Sequence, residues 1–252
     1  MQWPVVIAVA LTVVLAGFVH GALGLGFPLV ATPLIAVFLD VRVAILITLL
    51  PTAAVNIASI WTAKPSLVVL RRYSPLAIAS LVGSVIGSMV LTMSSAEPFK
   101  LLLALLILLF LYSSQHGSHG REWFVVNPVW AVVIIGLLGG FSAGTTNVMV
   151  AILIMYFLAL EIERREMVSA MNLCFLIGKL SQIAVFAAAG LVDMQLVLMT
   201  TPLAVLALSA LWVGQKVSAN IPQEKYRRLL RYLLAVLATV LLLQFFSVYF
   251  LQ

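Results

Sequence analysis

Residues 21–28 read Gly21-Ala22-Leu23-Gly24-Leu25-Gly26-Phe27-Pro28 and interrupt an apolar run that extends from Trp3 to Leu39. A weaker version of this break recurs over residues 139–147, as Gly-Gly-Phe-Ser-Ala-Gly-Thr-Thr-Asn. Both glycine and proline break helices, because glycine lacks a Cβ and proline lacks an amide donor. Within lipid, the freed backbone groups must bind protein, water or a ligand. Two breaks at corresponding places in two halves therefore point to a transporter's binding site.

The composition indicates an integral membrane protein that crosses the bilayer several times. The 252 residues are 64% hydrophobic and 9% charged, with a mean hydropathy of +1.21, whereas soluble domains are about 45–50% apolar and about 25% charged. The net charge of +6 does not indicate nucleic-acid binding, because the basic residues lie in short loops between apolar spans. The single cysteine, Cys174, excludes an intrachain disulfide and a multi-cysteine metal site. We expect neither a cofactor nor a metal.

Apolar runs and their boundary residues predict ten helical segments. They cover residues 4–20, 27–39, 43–62, 74–93, 97–113, 127–143, 147–160, 165–189, 194–214 and 226–250. Ser74-Pro75 and Asn127-Pro128 each place a capping residue before a first-turn proline. At 1.5 Å per residue the second and seventh segments are roughly 20 Å long, less than the ~30 Å hydrocarbon core. The sequence leaves open whether residues 4–39 and 127–160 are re-entrant or fully spanning.

The distribution of lysine and arginine predicts the orientation of the chain. Placing the loops alternately on two sides puts most of the 14 basic residues on one side. These are Lys64, Arg71, Arg72, Arg121, Arg164, Arg165, Lys216, Lys225, Arg227, Arg228 and Arg231. The other side receives Arg42 and Lys100, and Lys179 stays inside the membrane. By the positive-inside rule the richer side is cytoplasmic, so we expect an inner-membrane protein with both termini outside and membrane lipid as a partner. A homodimer is left open.

The two halves of the chain follow the same order of segments. Each has a long helix, a Gly-rich break, a short helix, a charged turn and a long helix that carries polar residues. Each half contains an odd number of crossings, so two similar halves must be inverted across the membrane plane. We therefore predict an all-α fold of two inverted repeats, residues 1–113 and 127–252, joined by a cytoplasmic linker over residues 114–126. The broken or re-entrant helices are expected to meet near mid-membrane.

The long helix after each charged turn carries candidate binding residues. In the first half these are Thr48, Thr52, Asn56 and Ser59, whose spacing places them on one face. In the second half they are Ser169, Asn172, Lys179 and Gln182, on a broader face. An offset of about 123 residues pairs Asn56 with Lys179 and Ser59 with Gln182. Because facing lipid is costly, such a stripe faces the bundle interior or a cavity.

Lys179 is the most informative single residue. It lies about fourteen residues from Arg165 and about eleven from Gly190, and an ammonium at the bilayer centre costs ~2.5–3.5 kcal/mol. The spans contain no obvious acidic partner, so Lys179 is interpreted as a cation that binds an anion or responds to protons. A lysine tied to helix-end carbonyls is the structural alternative. His20 is a second candidate for proton coupling, or a hydrogen-bonded structural histidine.

The breaks themselves add further candidates. Thr145, Thr146 and Asn147 are expected at the start of the seventh segment, where free amides and the positive end of the helix dipole favour an anion. Helix capping without a ligand is the alternative. The first break offers backbone amides around Gly21, Gly24 and Gly26.

These features resemble the TauE/SafE family of sulfite-exporter-like membrane permeases. The resemblance rests on residues 17–28, Gly-Phe-Val-His-Gly-Ala-Leu-Gly-Leu-Gly-Phe-Pro, with the following Pro33, on the Gly136–Asn147 segment and on the total length. It implies transport of small sulfur-containing or organic anions, often export of sulfite or a sulfonate, driven by an ion gradient. The family commonly shows a fuller Gly-Gly-Gly run in each half, where this chain has Gly26-Phe27-Pro28 and Thr145-Thr146-Asn147.

We therefore predict a secondary transporter that exports a small anion by alternating access and has no enzyme activity. The predicted substrate-binding residues are Gly21, Gly24, Gly26, Asn56, Thr145, Thr146, Asn147, Asn172, Lys179 and Gln182, with His20 and Lys179 as candidates for proton coupling. A passive anion channel is one alternative. A membrane-embedded enzyme is another, although no His/Asp/Glu cluster lies within the spans and Cys174 lacks a visible base.

Overall fold

The computed structural model describes residues 3–116, 121–218 and 223–250, which form eleven helices and no strand. The helices are α1 (Trp3–Leu23), α2 (Phe27–Ala36), α3 (Val41–Ala63), α4 (Leu67–Met93), α5 (Glu97–His116), α6 (Arg121–Val126), α7 (Pro128–Thr146), α8 (Val150–Ala159), α9 (Arg164–Ala188), α10 (Met194–Ser218) and α11 (Gln223–Phe250). Within those ranges, seven helices are long and apolar enough to cross a membrane: α1, α3, α4, α7, α9, α10 and the Leu230–Ser247 part of α11. The chain is an all-α, multi-pass membrane protein.

All ten predicted segments are helical, and the differences lie at their ends. α4 begins at Leu67 rather than at residue 74, because the Ser66 hydroxyl caps it by accepting the Val69 N–H at 3.3 Å. Pro75 consequently lies inside α4 and not in its first turn. α5 continues to His116, and α6 occupies part of the predicted linker.

The helices before both breaks run further than predicted. α1 continues through Gly21 to Leu23, and α7 continues to Thr146. Thr145 and Thr146 remain helical while each hydroxyl donates 2.8 Å hydrogen bonds to the carbonyl four residues earlier. Their predicted place at the start of the seventh segment is therefore wrong. The residues of the two breaks with positive φ are instead Gly24 and Gly26, with φ 82° and 108°, and Asn147, with φ 67°. Glycine and asparagine tolerate this region best.

Helix boundaries recur at a constant spacing in the two halves. α1 and α7 end at residues 23 and 146, α2 and α8 cover 27–36 and 150–159, and α3 and α9 begin at 41 and 164, so that each second position is 123 residues after the first. The N-cap residues Asp40 and Glu163 obey the same spacing.

The first long helix of each half packs against the third long helix of the other half. α1 crosses α10 at Gly21, where an added Cβ would lie 2.1 Å from the Leu211 carbonyl oxygen. α4 crosses α7 at Gly140, where a Cβ would lie 2.0 Å from the Ser80 carbonyl oxygen. Small residues are needed at such crossings because they let two backbones approach closely. Between these pairs, the polar helices α3 and α9 contact each other.

Candidate functional site

A small cavity, called here the central cavity, lies between α3 and α9 beside the second break. It is lined by Pro28, Thr52, Asn56, Ala143, Asn147, Met149, Phe175, Gly178, Lys179 and Gln182. Its volume is about 10 Å³, which is room for roughly one water molecule. Both halves of the chain therefore contribute polar side chains to one buried space.

Lys179 places a positive charge in the central cavity without an ionised partner. Its side chain is buried, and its Nζ donates hydrogen bonds to Asn147 Oδ1 and Gln182 Oε1. Both acceptors are neutral amide oxygens, and no carboxylate pairs with Lys179 in the described part of the chain. An ammonium has three N–H donors, so one remains for a further acceptor. An anion at this place would supply the missing counter-charge.

Asn147 fixes the position of this lysine. Its Nδ2 donates to Thr32 Oγ1 at 3.0 Å and to Thr48 Oγ1 at 3.1 Å, while its Oδ1 accepts from Lys179. All donors of the amide are thus used within the protein. Asn147 therefore orients Lys179 and ties the second break to α2 and α3, and it has no free donor for a ligand.

Gln182, which lies three residues after Lys179 in α9, also holds the lysine side chain. Its Nε2 donates to the carbonyls of Ala143 and Gly144 at 3.2 and 3.0 Å, and its Oε1 accepts from Lys179. Those carbonyls belong to the last turn of α7, where the Ala143 carbonyl also accepts the Asn147 N–H at 3.0 Å and the Gly144 carbonyl has no backbone donor among the described residues. Gln182 consequently completes the end of α7 and is also a positioning residue.

Asn56 is the unsatisfied polar group of the cavity. Its side chain is 0% exposed, and neither Nδ2 nor Oδ1 has a hydrogen-bond partner among the residues that the structure describes. A buried polar group without a partner costs about 1–3 kcal/mol, and each case in a folded protein calls for an explanation. The amide of Asn56 has two donors for a ligand in the central cavity.

The start of α8 adds backbone donors beside the same cavity. No side chain caps this helix at Met149, which lines the cavity. Within the described chain, the N–H groups of residues 148–151 have no hydrogen-bond acceptor. Free N–H groups and the positive end of the helix dipole attract an anion. This is the half-helix terminus that the second break was predicted to provide, shifted to the residues after Asn147.

The start of the first break, residues 21–24, lies beside a larger cleft of about 510 Å³, whereas Pro28 at its end lines the central cavity. This cleft, called here the vestibule, is lined by Gly21, Ala22, Leu23, Gly24, Thr62, Ala63, Glu163, Arg164, Arg165, Val168 and Ser169. The predicted binding residues are therefore divided. Asn56, Asn147, Lys179 and Gln182 line the central cavity; Gly21 and Gly24 line the vestibule; Gly26, Thr145, Thr146 and Asn172 line neither.

A set of hydrogen bonds, called here the inner barrier, holds the first break against α3 and α9. His20 Nδ1 accepts the Phe27 N–H at 3.2 Å, so the neutral ring carries its proton on Nε2, 3.0 Å from Ser59 Oγ. Asn172 Nδ2 donates to the Gly24 carbonyl at 2.9 Å. The fully buried His20 thus joins α1, α2 and α3, while its role in proton coupling stays a prediction.

Sequence reasoning missed several residues of the site, among them Thr32 and Met149. Thr32 accepts a hydrogen bond from Asn147, and Met149 lines the central cavity. Thr32 is a single hydroxyl in the short apolar α2, which gave no polar periodicity to follow. Across residues 3–116, 121–218 and 223–250, no group of three or more His, Cys, Asp or Glu side chains could hold a metal ion.

Comparison with known protein families gives one match. The family described as "Sulfite exporter TauE/SafE" matches residues 9–241. The matched region includes both breaks, the central cavity and the vestibule. Neither the curated proteins nor the solved structures searched contained a match.

Proposed function

The chain belongs to the sulfite exporter TauE/SafE family of membrane transporters, and we propose that it is a secondary transporter of a small anion. The proposed substrate is sulfite or a short organosulfonate. The proposed orientation places the basic loops in the cytoplasm and both termini outside an inner membrane, because lysine and arginine concentrate in loops on one side.

One observation carries this proposal: the uncompensated ammonium of Lys179 and the unpartnered amide of Asn56 line the same buried cavity. Sulfite and sulfonates present three oxygen acceptors on one sulfur. Lys179 offers one N–H, Asn56 offers its amide, and the first turn of α8 offers backbone N–H groups. These donors favour an anion over a neutral or cationic solute, since the lining contains no carboxylate.

Alternating access follows from the size of the central cavity and from the relation between the halves. A space of about 10 Å³ is too small for an oxyanion, so the surrounding helices must separate before substrate binds. We infer an inverted repeat because the five helical segments predicted for each half would cross the membrane an odd number of times. The constant spacing of helix boundaries and the reciprocal α1–α10 and α4–α7 crossings support it. One half would then rock against the other around the site.

Two substitutions test the site in purified protein reconstituted into liposomes with radiolabelled sulfite. Lys179→Gln should abolish most of the flux, because it removes the charge that attracts the anion. Asn56→Leu should also lower the flux. It should leave the thermal unfolding temperature unchanged or higher, because an apolar side chain replaces a buried, unsatisfied amide of similar size.

The control is Asn127→Leu, which makes the same change at a half-buried residue before α7 that lines neither cavity. Wild-type sulfite flux and affinity in both the Lys179 and Asn56 variants would refute the assigned site. Imposed proton and sodium gradients separate the carrier from the channel alternative, because only a coupled carrier accumulates sulfite against its own gradient. Competition by sulfate, thiosulfate and short sulfonates would define the substrate class.

A further inference from the structure

We propose that the vestibule is a second anion site, which captures the substrate on the basic side before it reaches the central cavity. The inference rests on the proposed function, since the ligand is the same class of sulfur oxyanion or sulfonate. The vestibule lies where α1 and α3 end and α9 begins. Its volume of about 510 Å³, against about 10 Å³ for the central cavity, accommodates such an anion with part of its hydration shell.

The charged lining of the vestibule favours an anion. Two arginines, Arg164 and Arg165, and one carboxylate, Glu163, line it, which leaves an excess of one positive charge. Arg164 Nη2 donates to the Leu23 carbonyl at 3.3 Å and so lies against the end of α1. The Arg165 side chain is exposed and forms no ion pair with another described residue. A guanidinium can bind two oxygens of one sulfonate side by side.

The vestibule, the inner barrier and the central cavity follow one another along α3. Thr62 lines the vestibule, Ser59 bonds His20 in the barrier, and Asn56 lines the central cavity. At 1.5 Å per residue these three positions span roughly 9 Å. An anion held in the vestibule is therefore about one or two helical turns from the central site.

The same order holds along α9. Ser169 lines the vestibule, Asn172 bonds Gly24 in the barrier, and Phe175 lines the central cavity. Both α3 and α9 therefore pass the vestibule, the inner barrier and the central cavity in the same order. Release of the Ser59–His20 and Asn172–Gly24 hydrogen bonds would join the vestibule to the central cavity and let the anion move to the central cavity.

Arg165→Gln tests the vestibule by transport. In proteoliposomes of defined orientation, the KM for sulfite supplied from the vestibular side should rise roughly fivefold, as expected for one partly solvated charge contact. The kcat and the KM from the opposite side should change much less. Arg71→Gln is the matched control, because Arg71 is an exposed arginine of α4 that does not line the vestibule. Equal KM values for the two variants would overturn the proposal.

A binding measurement that does not depend on transport uses a single introduced thiol. Thr62→Cys places the thiol in the vestibule, where Thr62 is exposed, whereas the native Cys174 is 0% exposed. The rate of modification by a charged maleimide is followed with and without ethanesulfonate, since sulfite itself reacts with maleimides. Ethanesulfonate should slow modification when Arg165 is present and not in the Arg165→Gln background.

The control thiol is Arg71→Cys, which ethanesulfonate should not protect. Absence of protection of the vestibular thiol in the Arg165 protein would overturn the vestibule site even if transport through Lys179 is confirmed. Protection without any sulfite transport by the intact protein would support the vestibule site and refute the proposed function. The two proposals therefore fail separately.

Discussion

Replacing Asn147 by aspartate should remove anion binding by neutralising Lys179 from within the protein. Asn147 Oδ1 already accepts a hydrogen bond from Lys179 Nζ, so an aspartate of nearly the same size would form an ion pair in place. Aspartate also tolerates the left-handed φ of 67° at this position. The second break should therefore keep its backbone conformation, while the lining of the central cavity loses its excess positive charge.

The expected loss of affinity follows from the geometry of one ammonium group. Two acceptors on different N–H groups of Lys179 would place the introduced carboxylate and the anion about 5–6 Å apart. At an effective dielectric constant of about 20 their repulsion is roughly 3 kcal/mol, which weakens binding about 100-fold. Stability should fall by only about 1–2 kcal/mol. The Thr32 hydroxyl can rotate to donate, whereas the Thr48 hydroxyl already donates to the Ala44 carbonyl at 2.8 Å.

Sulfite flux in proteoliposomes and equilibrium binding in detergent measure this effect, with thermal unfolding as the check on folding. Asn147→Gly is the neutral control, because glycine accepts the backbone conformation but lacks the carboxylate. Asn127→Asp repeats the chemical change at a half-buried residue away from the central cavity. If the aspartate and glycine variants at position 147 bind sulfite within about threefold of each other, the charge of Lys179 does not select the anion and the reasoning is refuted.

Two further predictions concern the frame around the site. Gly140→Ala should lower the unfolding temperature, because its Cβ would lie 2.0 Å from the Ser80 carbonyl oxygen. Gly139→Ala should change the unfolding temperature little, because a Cβ there has no neighbour closer than 3.4 Å. Equal shifts in the two variants would argue against the close α4–α7 crossing. Arg42→Gln should destabilise the fold by about 1–3 kcal/mol, because Arg42 donates to two carbonyls at the end of α4. Denaturant titration measures this loss, and an equal effect of Arg71→Gln would contradict it.

The order of the helices was predictable because apolar runs and Gly/Pro breaks are local properties of the sequence. The ends of the helices were less predictable where two local signals compete. Ser74-Pro75 is a strong start signal, yet α4 continues from the cap at Ser66 through Pro75. The hydroxyls of residues 145 and 146 were read as free ligand groups, although a threonine in a helix can bond the carbonyl four residues earlier.

Helical spacing alone places side chains on a common face, and four of the eight residues named on the polar faces of α3 and α9 line the central cavity. The separation of Gly21 and Gly24 from that cavity was not predictable from spacing. It depends on helix length: α1 has 21 residues and extends ~31 Å, so Gly24 lies at the far end of the helix. Which hydroxyl of another helix meets Asn147 depends on tertiary packing, and Thr32 was missed for this reason.

Each break is hydrogen-bonded to the polar helix of the other half, but the two sets of bonds differ in charge. Asn172 of α9 bonds Gly24 through neutral groups, whereas Asn147 bonds Thr48 of α3 and also holds the Lys179 ammonium. In the proposed mechanism, an anion that takes the remaining N–H of Lys179 weakens the hydrogen bond that Asn147 Oδ1 accepts from the same ammonium. Binding would therefore loosen the second break while the first remains bonded. An anion-dependent change at one break only is what a carrier needs to expose its site to one side at a time.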